Sequence, residues 1–261
     1  MGTAPSRVAA GNEDRLSRRP WQSGFPDVVI HAPLEQRDGH PDYDAAKSGD
    51  LNSAKLLVRE LLSDASVEML RGSVPGSPLL AGVSAIETRG FNAIPDAMAN
   101  ELSLRLGWEL DDGELRQSNK VGHTRASAWH RFVAQAEFTG SVRAGADYVL
   151  VDDHVGFGGT LANLRGYIEE HGGTVVAMTT LTETRDARKI TLTRDTLEAL
   201  RRTHGEPLEE FWEEHFRFRL DCCTQLEAEY LLRQRSFDYI RRRLAKAAKK
   251  ARERELPVGQ A

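Results

Sequence analysis

The sequence predicts an α/β protein: a parallel sheet with helices on both faces, followed by a helical carboxyl-terminal appendage. Three observations predict it. Short apolar runs at Leu79–Val83, Tyr148–Val151 and Val175–Leu181 have strand length, and stretches of helical period separate them. A glycine-rich turn, Gly156, Gly158 and Gly159, joins the second run to a helix. After Thr182 the charge balance changes sign, from 17 Lys and Arg against 24 Asp and Glu before it to 18 against 15 beyond it.

The elements follow in order. Residues 1–27 mix Arg, Ser, Gly, Pro and acids without period and predict a disordered lead. Val28, Val29 and Ile30 predict a short strand. A helix comes next, capped by Asp50 or Asn52, with Ala54, Leu57, Val58 and Leu61 on one face. After the strand Leu79 to Val83, the loop Ser84 to Gly90 leads into a helix with Pro95 in its first turn and Ile94, Met98 and Leu102 four apart. Residues Asp111 to Trp129 are polar and aperiodic, which predicts a long mobile loop. The strand Tyr148 to Val151 is expected to end in Asp152 and Asp153. Beyond the glycine turn, Leu161, Leu164 and Ile168 mark one face of a helix that Gly172 and Gly173 stop. Strands and helices alternating at these lengths imply parallel pairing, with ligands bound beyond the carboxyl ends of the strands.

Three helices are expected after Thr182: about Thr193–His204, Pro207–Phe216, and Thr224 to about Arg254. In the last, Leu226, Tyr230, Phe237, Ile240 and Leu244 keep helical spacing. Its other faces carry Arg and Lys, 10 of them from Arg233 to Arg254 against Asp238 and Glu253. The domain reading is therefore 28–182 for the α/β core and 183–261 for the helical appendage.

The chain has 261 residues, 40% hydrophobic and 28% charged, with a net charge of −4, which suffices for a core and excludes wholesale disorder. No stretch approaches the roughly 20 apolar residues of a membrane span, and the first residues have no apolar centre for a signal peptide. A cytoplasmic protein is expected. The two cysteines, Cys222 and Cys223, are adjacent, too few for a zinc cluster and poorly placed for a disulfide, and are expected to be reduced and structural.

The chemistry concentrates in Tyr148-Val-Leu-Val-Asp-Asp-His-Val-Gly-Phe-Gly-Gly-Thr-Leu161: a hydrophobic strand, paired carboxylates, a glycine-rich turn and a helix start. Backbone N–H groups from Gly156 to Thr160 can cradle a phosphate at the positive end of the helix, and Thr160 can add its hydroxyl. Asp152 and Asp153 can accept from vicinal ribose hydroxyls or face a divalent cation. The plainer alternative is a βα turn whose acids cap the helix.

This segment resembles the 5-phosphoribosyl 1-pyrophosphate (PRPP) signature of type I phosphoribosyltransferases. The resemblance covers about Leu79 to Thr182 and is most specific over Val149–Thr160. It implies the family's PRTase-like (Rossmann-like) fold and a pyrophosphate loop in which Thr88, Arg89 and Gly90 would supply backbone amides and a guanidinium to the diphosphate. It also implies a flexible catalytic loop over Leu115–Trp129, with Lys120 or Arg125 as a cation on the leaving group and His123 as a candidate acid. The implied activity is transfer of the phosphoribosyl group from PRPP, as co-substrate, to an acceptor that the sequence does not reveal, with Mg²⁺ and release of pyrophosphate. By the same resemblance, Asp152, Asp153, Arg89 and Lys120 form the catalytic set, and Asp152 and Asp153 the metal set. Thr88, Arg89, Gly90, Asp152, Asp153, Gly156, Phe157, Gly158, Gly159 and Thr160 form the PRPP-binding set. Such a reaction develops an oxocarbenium-like ribosyl centre and a charged diphosphate, so it needs cations at the leaving group and exclusion of water.

Three positions depart from the family pattern. Gly156 stands where purine-salvage members carry an acid, which disfavours purine salvage. Phe157 replaces a common Thr and could set its ring against the phosphate or a partner. His154 stands where an aliphatic residue is usual, either packed beneath the loop or touching substrate. The alternative function is a non-catalytic PRPP- or nucleotide-sensing regulatory protein whose basic terminal helix contacts nucleic acid or a protein partner. The expected partners are a small-molecule phosphoribosyl substrate and, as an option, a second copy in a homodimer. Nucleic acid enters only through the basic helix, no membrane is involved, and the setting is nucleotide metabolism.

Overall fold

Four parallel strands make the central sheet of the computed structural model, which describes residues 18–83, 86–87, 90–112, 115–119 and 127–255. In chain order, β1 (Val29–Ile30), α1 (Leu34–Asp38), α2 (Tyr43–Lys47), α3 (Leu51–Leu61), α4 (Asp64–Ser73), β2 (Leu79–Gly82), β3 (Ile86–Glu87), β4 (Gly90–Phe91) and α5 (Ile94–Leu106) come first. Next are β5 (Arg116–Gln117), α6 (Ala128–Val133), β6 (Phe138–Thr139), β7 (Asp147–Val155), α7 (Gly159–Glu170) and β8 (Thr174–Glu183). Then follow α8 (Arg194–His204), α9 (Glu206–Phe216), α10 (Gln225–Leu232) and α11 (Phe237–Glu255).

The strand order is β1-β8-β7-β2, and every neighbouring pair is parallel. Helices cover both faces, which is why β7 and β8 read as near-continuous apolar runs. Alternation along β7 divides the core. Val149 and Val151 join Leu80, Ala177 and Leu181 beneath α3, α4 and α5, whereas Tyr148 and Leu150 join Leu79 and Met178 against Leu161, Leu164 and Ile168 of α7. The helix starts follow their capping chemistry. Asp50 accepts from Ser53 N at 2.7 Å to begin α3, and Pro95 lies in the first turn of α5.

Two expected boundaries are corrected. β7 does not stop at Val151 but runs to Val155, because its ladder with β8 continues through Asp152↔Thr180, His154↔Thr182 and Val155↔Glu183. Asp152 and Asp153 therefore lie within the strand. The single helix expected from Thr224 is two helices: α10 ends at Leu232, and Ser236 Oγ accepts from Tyr239 N at 3.2 Å to start α11. Within the segment expected to be a loop, Arg116–Gln117 pair with Phe138–Thr139, and Ser127 caps α6.

A third apolar cluster joins α6 to the carboxyl-terminal helices: Trp129 and Phe132 pack with Leu200, Trp212, Leu231, Ile240 and Leu244. The opposite side of α11 exposes Arg241, Arg242, Lys246, Lys249 and Lys250. Cys222 and Cys223 are free and buried. Within the stretch expected to be a lead, Arg18 is buried and Trp21 Nε1 donates to Cys223 O at 2.7 Å. No helix among the described residues is long and apolar enough to cross a membrane.

Candidate functional site

A cavity of about 280 Å³ opens at the carboxyl ends of β2 and β7. Val83 and the run Asp152–Leu161 form one side of it; Arg37, Tyr43, Lys47, Asn92 and Arg131 face them. The parallel sheet dictates the place, since the strand ends and the start of α7 converge there.

Asp152 and Asp153 are both buried, in different states. Burial, together with the charge of Asp153, pushes the Asp152 carboxyl well above the usual carboxylate range. Burial would raise Asp153 as well, but Lys47 Nζ at 2.8 Å from its Oδ2 outweighs that and holds it below its ordinary range. Asn92 Nδ2 donates to Asp153 Oδ1 at 3.2 Å, and Asp153 N donates to Asp152 Oδ1 at 2.8 Å. The pair thus sets an anchored carboxylate beside one whose charged form burial disfavours.

Gly158 begins α7 in the left-handed region, at φ 80°, and no side chain caps the helix. The first-turn N–H groups from Gly159 onward therefore border the cavity without an intrahelical acceptor. Behind the turn the packing is tight. A Cβ on Gly158 would lie 3.0 Å from Ile190 Cδ1 and 3.2 Å from Thr224 Cγ2, so any larger residue there is crowded as well as strained by the positive φ. Beneath Gly159, Arg18 Nη1 pairs with Glu227 Oε2 at 2.6 Å, and its Nη2 donates to Gln135 Oε1 at 2.9 Å. The carboxyl-terminal region and residue 18 thus make the floor of the turn.

Phe157 lines the cavity and is packed into an aromatic group beside it. Its ring meets Tyr230 at 5.5 Å and Phe132 at 6.0 Å, and its carbonyl accepts from Thr224 Oγ1 at 2.5 Å. His154 is held by two hydroxyls, Thr182 Oγ1 at 3.0 Å from Nδ1 and Thr184 Oγ1 at 3.2 Å from Nε2. Burial, aided by the charge of Arg37, lowers it to about 4, so it is neutral at pH 7. Arg37 in turn donates to Thr182 Oγ1 at 3.0 Å and to Asp38 Oδ1 at 2.7 Å.

The structure gathers Asp152, Asp153, His154, Gly156, Phe157, Gly158, Gly159 and Thr160 around one cavity. Gly90 sits in β4, its backbone paired with Glu87. Thr88, Arg89, Lys120, His123 and Arg125 lie outside the described residues. Sequence reasoning missed Arg37, Lys47, Asn92 and Arg131. Arg131 had a local signal: Ser127 as a helix cap, followed by Trp129 and Phe132 three apart. Among the described residues, no group of three or more His, Cys, Asp or Glu is placed to hold a metal ion.

No family model matches the chain. It is similar to the protein TraN of Escherichia coli, 38% identical over 238 residues, which cover 91% of this chain and 53% of that protein. It is also similar to an uncharacterized protein of Haemophilus influenzae, 35% identical over 164 residues, covering 62% of this chain and 36% of that one. The chain thus spans about half the length of the first of these relatives and about a third of the second. Among solved structures, it is similar to an adenine phosphoribosyltransferase at 17% identity and TM-score 0.34, over 52% of this chain and 73% of the other. A Thermoanaerobacter pseudethanolicus adenine phosphoribosyltransferase gives 25% and 0.33, over 51% and 78%. UMP synthase from Leishmania donovani gives 16% and 0.32, over 69% and 33%. At TM-scores this low, the α/β assignment rests on the chain's own four parallel strands and the helices on both faces.

Proposed function

We propose that the cavity binds a phosphoribosyl donor of the PRPP class together with Mg²⁺, and that the protein transfers the phosphoribosyl group to an acceptor with release of pyrophosphate. One observation carries this reading: the buried Asp152–Asp153 pair and the uncapped, glycine-led start of α7 border the same cavity. In this reading the N–H groups of Gly156 to Thr160 hold the 5-phosphate. Asp153, fixed by Lys47 and Asn92, accepts from the ribose hydroxyls. Asp152, whose charged form burial and Asp153 disfavour, lies beside it, where a cation would favour its carboxylate.

Two carboxylates do not enclose a cation, so Asp152 and Asp153 would hold Mg²⁺ only in part and would leave its other positions to water and to oxygens of the bound ligand. When bound, the ion neutralises charge on the departing diphosphate. Arg89 and Lys120 are assigned by resemblance to the same leaving group, and the tight floor of the turn excludes water from its far side. A cytoplasmic role in nucleotide metabolism belongs to the same proposal. A second reading, a sensor that binds the donor without turnover, is favoured by the exposed cations of α11, a face able to meet a polyanion.

The test begins with thermal unfolding. PRPP with Mg²⁺ is expected to raise the midpoint, because a ligand specific to the native state stabilises it. Asp152→Asn, alone and with Asp153→Asn, is expected to abolish the rise. An undiminished rise in the variants refutes the site, and no rise in the native chain refutes both readings. Pyrophosphate release in an acceptor screen separates transferase from sensor.

A further inference from the structure

Among the described residues lining the cavity, three carry positive charge: Arg37, Lys47 and Arg131. Two are committed. Lys47 pairs with Asp153 at 2.8 Å, and Arg37 pairs with Asp38 at 2.7 Å while donating to Thr182. Arg131 differs. Its guanidinium makes no ion pair or hydrogen bond with another described residue, and burial lowers its proton affinity with no carboxylate to restore it. Buried charges in folded proteins are ordinarily paired, so a half-buried cation facing a cavity lacks an anion.

Its position says which anion. The guanidinium lies against Gly156, where a Cβ would come within 2.4 Å of Nη1, and 5.9 Å from the centre of the Phe157 ring. Gly156 opens the turn whose following N–H groups border the same cavity. A cation from α6 and N–H groups from the start of α7 therefore approach one space from two sides. A tetrahedral dianion uses donors from several directions; a planar carboxylate uses a single fork.

We propose that Arg131 is a ligand-binding residue that contacts the phosphate held by Gly156–Thr160, making the site selective for a dianionic phosphomonoester. The inference rests on the sugar-phosphate reading above and adds a charged side chain to what was otherwise a backbone cradle. It also gives Gly156 a purpose: any larger residue there displaces the guanidinium.

The probe is ribose 5-phosphate, titrated calorimetrically into the full chain, with PRPP and benzoate as comparison ligands. Arg131→Gln is expected to weaken ribose 5-phosphate about 10- to 100-fold, the range for one charge-assisted hydrogen-bonding group, with the unliganded thermal midpoint unchanged or raised. Arg131→Lys is expected to lose less. Gly156→Ala, which keeps the guanidinium but moves it, is expected to lose affinity as Arg131→Gln does, and these two variants carry the test should Arg131→Gln not fold. Unchanged ribose 5-phosphate affinity in the variants overturns the proposal while leaving the PRPP reading intact. So does absence of ribose 5-phosphate binding to the native chain, or a loss confined to benzoate, which would assign Arg131 to an acceptor carboxylate. If PRPP does not bind but ribose 5-phosphate binds through Arg131, the donor reading fails and the phosphate site stands.

Discussion

Glu227→Gln tests the floor of the glycine turn. The Arg18 and Glu227 side chains are 0% and 3% exposed and 2.6 Å apart, so the substitution leaves a guanidinium buried without its counter-charge. Glutamine keeps the shape and can still accept from Thr224 N, the bond Glu227 makes at 2.9 Å in the capping box, so the helix start is preserved. Removing one partner of a buried pair costs about 3–5 kcal/mol. Arg18 retains Asn163, Gln135 and Gly159 O as acceptors, which places the expected loss at the lower end, about 3 kcal/mol. For a chain of this size that is a fall in Tm of roughly 6–12 °C. Urea unfolding followed by circular dichroism measures it, and Arg18→Met with Glu227→Gln is expected to recover part of the loss, since no charge is then stranded. A loss below about 1 kcal/mol, or strictly additive effects in the double variant, refutes the reasoning.

Two further outcomes follow from the same packing. Gly158→Ala forces an L residue to φ 80° with its Cβ 3.0–3.2 Å from Ile190 and Thr224, and is expected to destabilise by about 1–3 kcal/mol in urea unfolding; a change near zero would contradict the left-handed, close-packed turn. Acid should weaken the fold before the carboxylates titrate: burial lowers His31 to about 4, so the unfolded chain takes up a proton near pH 6.5 that the folded chain refuses. The stability from neutral His31 is present above pH 6.5 and lost as pH falls toward 4; urea midpoints at pH 7, 5.5 and 4.5 should decline less in His31→Asn, and equal declines would remove His31 as the cause.

The strands at Leu79, Tyr148 and Val175 were legible because a strand covered on both faces is a continuous apolar run, and α3, α5 and α7 because their buried faces keep a helical period. The far end of β7 was not, because Asp152, Asp153 and His154 break the apolar pattern while the backbone ladder continues beneath them. Nor was the break before α11: Tyr230, Phe237, Ile240 and Leu244 hold a helical rhythm across it, and Ser236 announces a cap only to a reader who knows where to look. The acids and the glycine turn could be recognised because they adjoin in sequence. Lys47 and Asn92, 106 and 61 residues from Asp153, are brought to it by the fold and leave no local trace.

The Arg18–Glu227 pair joins residues 209 positions apart, and this has a consequence for the order in which the protein acquires its cavity. All four strands of the sheet have been synthesised by Glu183, yet the support beneath Gly159 arrives with residue 227. At ribosomal rates of about 5–20 residues per second, the turn waits roughly 3–14 s between its own emergence and that of its floor. A nascent chain can therefore complete its sheet while the support beneath its glycine turn is still missing. The docking of the carboxyl-terminal helices, not the closing of the sheet, completes the packing behind that turn.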